Sequence, residues 1–201
     1  MDYKQPILST SYFPCIAYLS ILNKQENVLI ETQESFKKQT HRNRTYILSA
    51  NGVLPLIVPI QRFKDVSLPI AETEICYKTP WQTNHLRAIA SAYGKSSYFE
   101  YYYYHIENIL KKEHRYLIDL NKEITEFLIK KIKINTQISE TKSYSKNFKN
   151  DFRDIFDKKH IITDFTTKPY FQCFSNKFPF QNNLSSLDLL FNMGVDSKIY
   201  L

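Results

Sequence analysis

Only three glycines interrupt the 201 residues, and that scarcity removes several functions at once. A phosphate-cradling loop needs clustered glycines so that backbone N–H groups can approach the ligand. No cluster exists, so neither a dinucleotide fingerprint nor a P-loop is present. Cysteine is equally sparse. Cys15, Cys76 and Cys173 are odd in number, far apart and form no CxxC pair, which argues against a disulfide framework or a zinc site. No cofactor or metal is called for. No apolar run approaches ~18 residues, so no helical membrane span is expected. The first residues lack a charged region followed by an apolar stretch, so no signal peptide is read. These absences predict a reducing, cytoplasmic setting.

What the chain does contain is aromatic and basic. Apolar residues make up 43% and aromatics 15%, a globular rather than disordered composition. A chain of this length can form one domain over residues 1–201, burying roughly 70% of its unfolded surface. The net charge of +7 could attract nucleic acid, anionic lipid or phosphorylated substrates. The lysines are scattered, however, and their abundance alongside Asn and Ile reads as AT-rich coding. No basic stretch is interleaved with stacking aromatics, so nucleic acid is not the expected partner. Oligomeric state is left open.

Hydrophobic patterning predicts an α/β fold: a single domain whose mixed sheet, with a β-hairpin, is covered by several helices. Ile7-Leu8 and Val28-Leu-Ile30 read as strands around a helix that Pro14 opens, a tight βαβ-like start. Residues 44–48 and 54–60 read as a strand pair, with Asn51-Gly52 as the turn. A further strand is expected over 70–77. Helices are expected over 81–93, with Thr79 as N-cap and Pro80 at N1, over 98–111, over 115–131 and over 185–192. Residues 140–168 read as a long polar loop, and 170–174 alternate like a strand.

The densest chemistry lies in residues 31–44, between two apolar runs. Glu31 and Glu34 could serve as acid and base or hold a metal, or could pair with Arg42 and Arg44 as a structural ion network. Two arginines flanking Asn43 supply fixed donors suited to phosphate or carboxylate. Tyr12-Phe13-Pro14 occupies the turn after the first strand, where ligands bind in open α/β sheets; a packing turn is the alternative. His41 and His85 lie near this chemistry. Cys15 reads as a small apolar residue rather than a nucleophile, although a helix start favours a thiolate.

With those residues in view, the chain resembles the WbqC-like family of bacterial proteins, particularly versions from the Bacteroidetes, over nearly its whole length. The resemblance is carried by Leu8-Ser-Thr-Ser-Tyr12-Phe13-Pro14 with Ala17-Tyr18, by Glu31 with Glu34 and Lys38-Gln39-Thr-His-Arg42-Asn43-Arg44, and by Asn51-Gly52 with Leu56-Ile-Val-Pro59-Ile. Trp81-Gln82, His85, Arg87 and Ser91-Ala92-Tyr93 extend it, and Tyr170-Phe-Gln172-Cys-Phe174 with Asp188-Leu-Leu-Phe-Asn192 completes it. Where many relatives open with Gln-Pro this chain has Ser9-Thr10, and where many have Gly it has Ala17. The resemblance implies a role in surface-polysaccharide or O-antigen biosynthesis, with acyl or glycosyl transfer onto a sugar nucleotide as the expected reaction. A sugar nucleotide or phosphorylated small molecule is the expected partner. A transferase of this kind would use Glu31, Glu34 and His85 as catalytic groups. Tyr12, Gln39, Arg42, Asn43, Arg44 and Trp81 would bind substrate, all nine converging on one pocket. A non-catalytic binding protein for a phosphorylated glycan or a pathway partner is the alternative.

Overall fold

Ile7, Leu8 and Ser9 form strand β1 (Ile7–Ser9), and all three are buried. That is the pattern of a parallel strand covered on both faces. The computed structural model describes residues 5–61, 68–156 and 165–201. Part of the expected 140–168 loop, with Lys158, Lys159 and His160, lies outside the described residues. The chain turns at Ser11–Pro14 into helix α1 (Ile16–Lys24) and returns as β2 (Asn27–Glu31), parallel to β1 with Ile7 opposite Leu29 and Ser9 opposite Glu31. The expected βαβ start is therefore present. Strand β5 (Gln137–Glu140) extends it in parallel, Ile30 lying opposite Glu140, so the sheet order is β1-β2-β5.

The hairpin is a sheet of its own: β3 (Arg44–Ser49) and β4 (Gly52–Ile57) pair antiparallel, Ser49 opposite Gly52. The α/β class, the parallel pair and the hairpin are as expected, with the two pairings divided between two sheets. The turn differs in detail. Ala50 and Asn51 are its central residues, and only Gly52 has positive φ, at 101°. A glycine following a two-residue turn is the usual answer to that backbone geometry.

Three helices follow: α2 (Trp81–Tyr93), α3 (Phe99–Lys111) and α4 (Leu117–Ile132). Each buries one face. On α4 this is Leu117, Leu120, Ile124, Leu128 and Ile132, the three-and-four spacing of an amphipathic helix. The expected cap at Thr79 is corrected. Pro80 holds the cap position, and the Trp81 N–H is satisfied by the Thr79 carbonyl at 2.8 Å.

Two expected strands are not formed. Residues 70–72 make a 3-10 turn, and 73–77 contribute only single bridges, Ile75 to Ile60 and Glu74 to Tyr116. Residues 170–172 form no ladder and 173–174 lie in a turn; Tyr170 and Gln172 reach a side chain on α5 instead. Helix α5 (Ser186–Met193) begins under Ser185, whose hydroxyl accepts from the Leu187 N–H. It packs against α1, α2, α3 and β3. Leu187, Leu190 and Phe191 are fully enclosed, so this segment is core rather than tail.

Candidate functional site

The carboxyl ends of the parallel strands carry a buried ion network. Glu34 and Arg42 are both buried and meet in a two-pronged pair, Nε to Oε1 at 2.7 Å and Nη2 to Oε2 at 2.8 Å. Burial pushes the Glu34 carboxyl up, and the Arg42 guanidinium opposes that rise. Arg42 also donates to the Arg153 carbonyl at 3.2 Å. Glu31, at the end of β2, accepts from Arg153 Nη1 at 2.9 Å, from the Gln33 N–H at 2.8 Å and from the Thr141 hydroxyl at 2.7 Å. Arg153 is further held by Asp151 and stacks under the Tyr144 and Phe148 rings, 5.0 and 5.5 Å from their centroids.

A second cluster is aromatic. The Tyr12 hydroxyl lies 2.9 Å from His85 Nδ1, and the Trp81 ring meets His85 edge-on at 5.2 Å. Burial lowers the His85 pKa to about 4, against a smaller raising effect of the Ile57 carbonyl. The imidazole is therefore neutral at pH 7.

Between the sheet and α4 lies a cavity of about 520 Å³. Tyr18, Ile30, Ile118 and Ile138 wall it. Thr10, Asn121, Thr125 and Thr141 supply neutral polar groups, and Lys122, Lys142, Glu126 and Glu140 supply charge. It sits where the chain leaves β1, β2 and β5, the edge at which open parallel sheets bind ligands. Lys122 is paired with Glu140 at 2.8 Å. Lys142 is exposed and forms no ion pair among the described residues. Among the described residues, no group of three or more His, Cys, Asp or Glu side chains could hold a metal.

The expectation that nine residues share one pocket is corrected, because the structure divides them. Glu31, Glu34 and Arg42 belong to the ion network, while Tyr12, Trp81 and His85 form the aromatic cluster. Asn43 turns to the Val58 carbonyl at 2.8 Å, and Arg44 reaches the Tyr46 hydroxyl at 3.4 Å. Gln39 is an exposed turn residue with φ of 61°. None of the nine lines the 520 Å³ cavity. The physical reason is the start of β3. Arg42 and Asn43 precede the strand and take independent directions, and Arg44 begins it. The ion network is the structural alternative with one change: Glu31 pairs with Arg153, not Arg44.

The first turn of α1 is likewise closed to an anion. Its Ile16 and Ala17 N–H groups donate to the Leu184 carbonyl and to Asn183 Oδ1, at 3.1 and 2.9 Å. Cys15 is buried and burial pushes its thiol up to about 11, the state of an inert packing residue. Arg153 and the α4 face of the cavity were not singled out from sequence. Arg153 carried one signal: it is the lone arginine in a stretch whose other cations are lysines.

A model of the WbqC-like protein family matches residues 9–155. The chain belongs to that family. The matched span of this WbqC-like protein runs from the end of β1 past Arg153, enclosing the ion network, the aromatic cluster and every residue lining the cavity. An uncharacterized protein of Mycobacterium tuberculosis (strain ATCC 25618 / H37Rv), Rv1507c, is 24% identical to it over 225 residues, covering 98% of this chain and 97% of that protein. No solved structure matches.

Proposed function

We propose that this WbqC-like protein binds a sugar nucleotide or another phosphorylated sugar in the cavity at the carboxyl edge of β1-β2-β5, and that it serves surface-polysaccharide biosynthesis. One observation carries the reading: a 520 Å³ space with apolar walls, hydroxyl and amide groups, two lysines and two glutamates. That volume and mixture suit a ring-sized polar ligand. Lys142 supplies a cation for a phosphate, and the family resemblance supplies the biosynthetic setting.

A transferase reading is favoured by a separate contact. The Glu31 carboxylate reaches the cavity lining through the Thr141 hydroxyl at 2.7 Å. In that reading a sugar hydroxyl oxygen forms the new acyl or glycosyl bond as the donor's bond to its leaving group breaks, the leaving group departs with that electron pair, and the hydroxyl proton passes by way of Thr141 to Glu31. Glu34 and His85 then support the fold around it.

Calorimetric titration with UDP-glucose, UDP-N-acetylglucosamine and glucose 1-phosphate tests the binding. Saturable binding that is lost in Ile138→Trp, which fills the cavity, is the expected result. No binding by the parent protein refutes it. Glu31→Gln separates the two readings: retained binding with lost turnover identifies the transferase, and absence of turnover by the parent with any donor leaves a binding protein.

A further inference from the structure

Residues 141–150 lead from β5 to β1 and are pinned at both ends. Thr141 exchanges hydrogen bonds with Thr32, at 3.0 and 2.8 Å. The Asn150 carbonyl and the Phe152 N–H bond to Ile7, at 3.0 and 2.9 Å. Between these ends the loop closes on Arg153, which donates to the Ser145 carbonyl at 2.9 Å and lies over the Tyr144 and Phe148 rings. All three guanidinium nitrogens are taken, by Asp151, Glu31 and Ser145, so Arg153 holds the loop rather than a ligand.

What the loop presents is basic and aromatic. Lys142, Lys146 and Lys149 are exposed and form no ion pair among the described residues. No Asp or Glu lies between them. Tyr144 has the guanidinium over one face and is still 49% exposed, whereas Phe148 is half-buried. The expectation that no basic stretch carries a stacking aromatic is corrected here: Lys142-Ser-Tyr144-Ser-Lys146 sets one open ring between two cations. One ring suits one base, whereas a nucleic-acid strand stacks successive bases on several.

The loop adjoins the cavity, which Thr141 and Lys142 line. Charge in the lining is divided. Glu140 is paired with Lys122, and Glu126, exposed on α4, forms no ion pair among the described residues. An unpaired carboxylate accepts from sugar hydroxyls and repels phosphate. Phosphates therefore belong on the loop side and the sugar on the α4 side. Resting on the binding reading above, we propose that the ligand is a nucleoside diphosphate sugar rather than a simple sugar phosphate. Its base stacks on Tyr144, its phosphates lie at Lys142 and its sugar enters the cavity.

The test compares UDP-glucose, UMP and glucose 1-phosphate by calorimetric titration; UMP lacks the hexose and glucose 1-phosphate lacks the base. Tyr144→Ala is expected to weaken UDP-glucose and UMP by about tenfold, the scale of one stacked base, and to leave glucose 1-phosphate unchanged. Tyr144→Phe keeps the ring and should keep all three affinities. Lys142→Glu should weaken all three. The parent protein gives a second reading: the Tyr144 ring resonances should shift with UMP and not with glucose 1-phosphate. UDP-glucose binding no tighter than glucose 1-phosphate, an unaltered UDP-glucose affinity in Tyr144→Ala, equal effects of that substitution on all three ligands, or Tyr144 resonances unmoved by UMP overturn the assignment while the binding reading stands. Absence of binding of all three ligands to the parent protein overturns both.

Discussion

Two buried groups make the pH dependence of stability a sharp test of the packing, because they act in opposite directions. His85 titrates near 6.5 when unfolded and at about 4 when folded. Between those values the unfolded chain binds the extra proton, so stability falls as pH falls through that window. From pH 7.5 to pH 5 the loss is about 2 kcal/mol. Asp188, enclosed on α5 beside Tyr170 and Gln172, is raised by burial from 3.8 to about 6. Here the folded chain binds the extra proton between those values, so stability rises as pH falls through them. The gain over the same interval is about 1 kcal/mol. Glu34, also raised, adds in the same direction as Asp188. The parent protein should therefore show a shallow profile. Asp188→Asn keeps the shape and the acceptor oxygen for Tyr170 but removes the titration. It should steepen the loss between pH 7.5 and pH 5 by about 1 kcal/mol. It should also be most favourable at pH 7.5, where the parent carries a buried charge. Urea unfolding of parent and variant at the two pH values reads both effects, provided the urea dependence is unchanged. A variant that is more destabilised at pH 7.5 than at pH 5 would show that the Asp188 carboxylate is a net stabiliser and refute the reasoning.

Breaking the buried Glu34–Arg42 pair by Arg42→Leu should cost about 3–5 kcal/mol, because a carboxylate is left enclosed without its partner; urea unfolding measures it, and a cost under about 1 kcal/mol would mean that water reaches the pair. Gly194 has φ of 56°, and a Cβ there would lie 2.5 Å from the Tyr98 ring, so Gly194→Ala should lower the melting temperature more than Gly52→Ala, whose Cβ meets nothing within 4 Å. Truncation after Gln181 removes α5 and with it Leu187, Leu190 and Phe191, each contributing roughly 1.5–3 kcal/mol by burial; the shortened chain should be insoluble or unfolded, and a soluble form melting at the parent temperature would refute the core role of α5.

The parts of the fold legible in sequence are those with a strong apolar period. Helices α2 to α5 repeat large apolar residues at three and four, and the hairpin carries its Asn51-Gly52 signal. Strand β5 has no such signature. Of its residues only Ile138 is apolar, and all but Ile138 are exposed, because it lies at a sheet edge where one side of the strand owes nothing to the core. Residues 70–77 mislead for the converse reason: Ile70 and Ile75 are buried apolar residues, but they are held by a 3-10 turn and single bridges rather than a ladder. Tyr170 and Gln172 alternate like strand residues because both reach Asp188. Alternation reports which side chains point inward, not what the backbone pairs with.

The candidate site shows the same division between residue type and spatial partner. Charge density over residues 31–44 announced a constellation, and both carboxylates do meet arginines. What it could not announce was the direction of those arginines, since the partner of Glu31 is 122 residues away. A buried ion pair contributes little net stability, because desolvation offsets attraction, but it tolerates few geometries. Here the pairs join the end of β2, the approach to β3 and the chain beyond β5, which are the segments that flank the cavity. Thr141 takes part in both systems, donating to Glu31 and lining the cavity, and Asn121 touches both, bonding the Arg42 carbonyl while lining the same space. The charged motif is therefore the frame, and plain threonine, asparagine and lysine residues hung on it line the cavity. Such residues are common everywhere in a sequence, which is why the frame was legible and its contents were not.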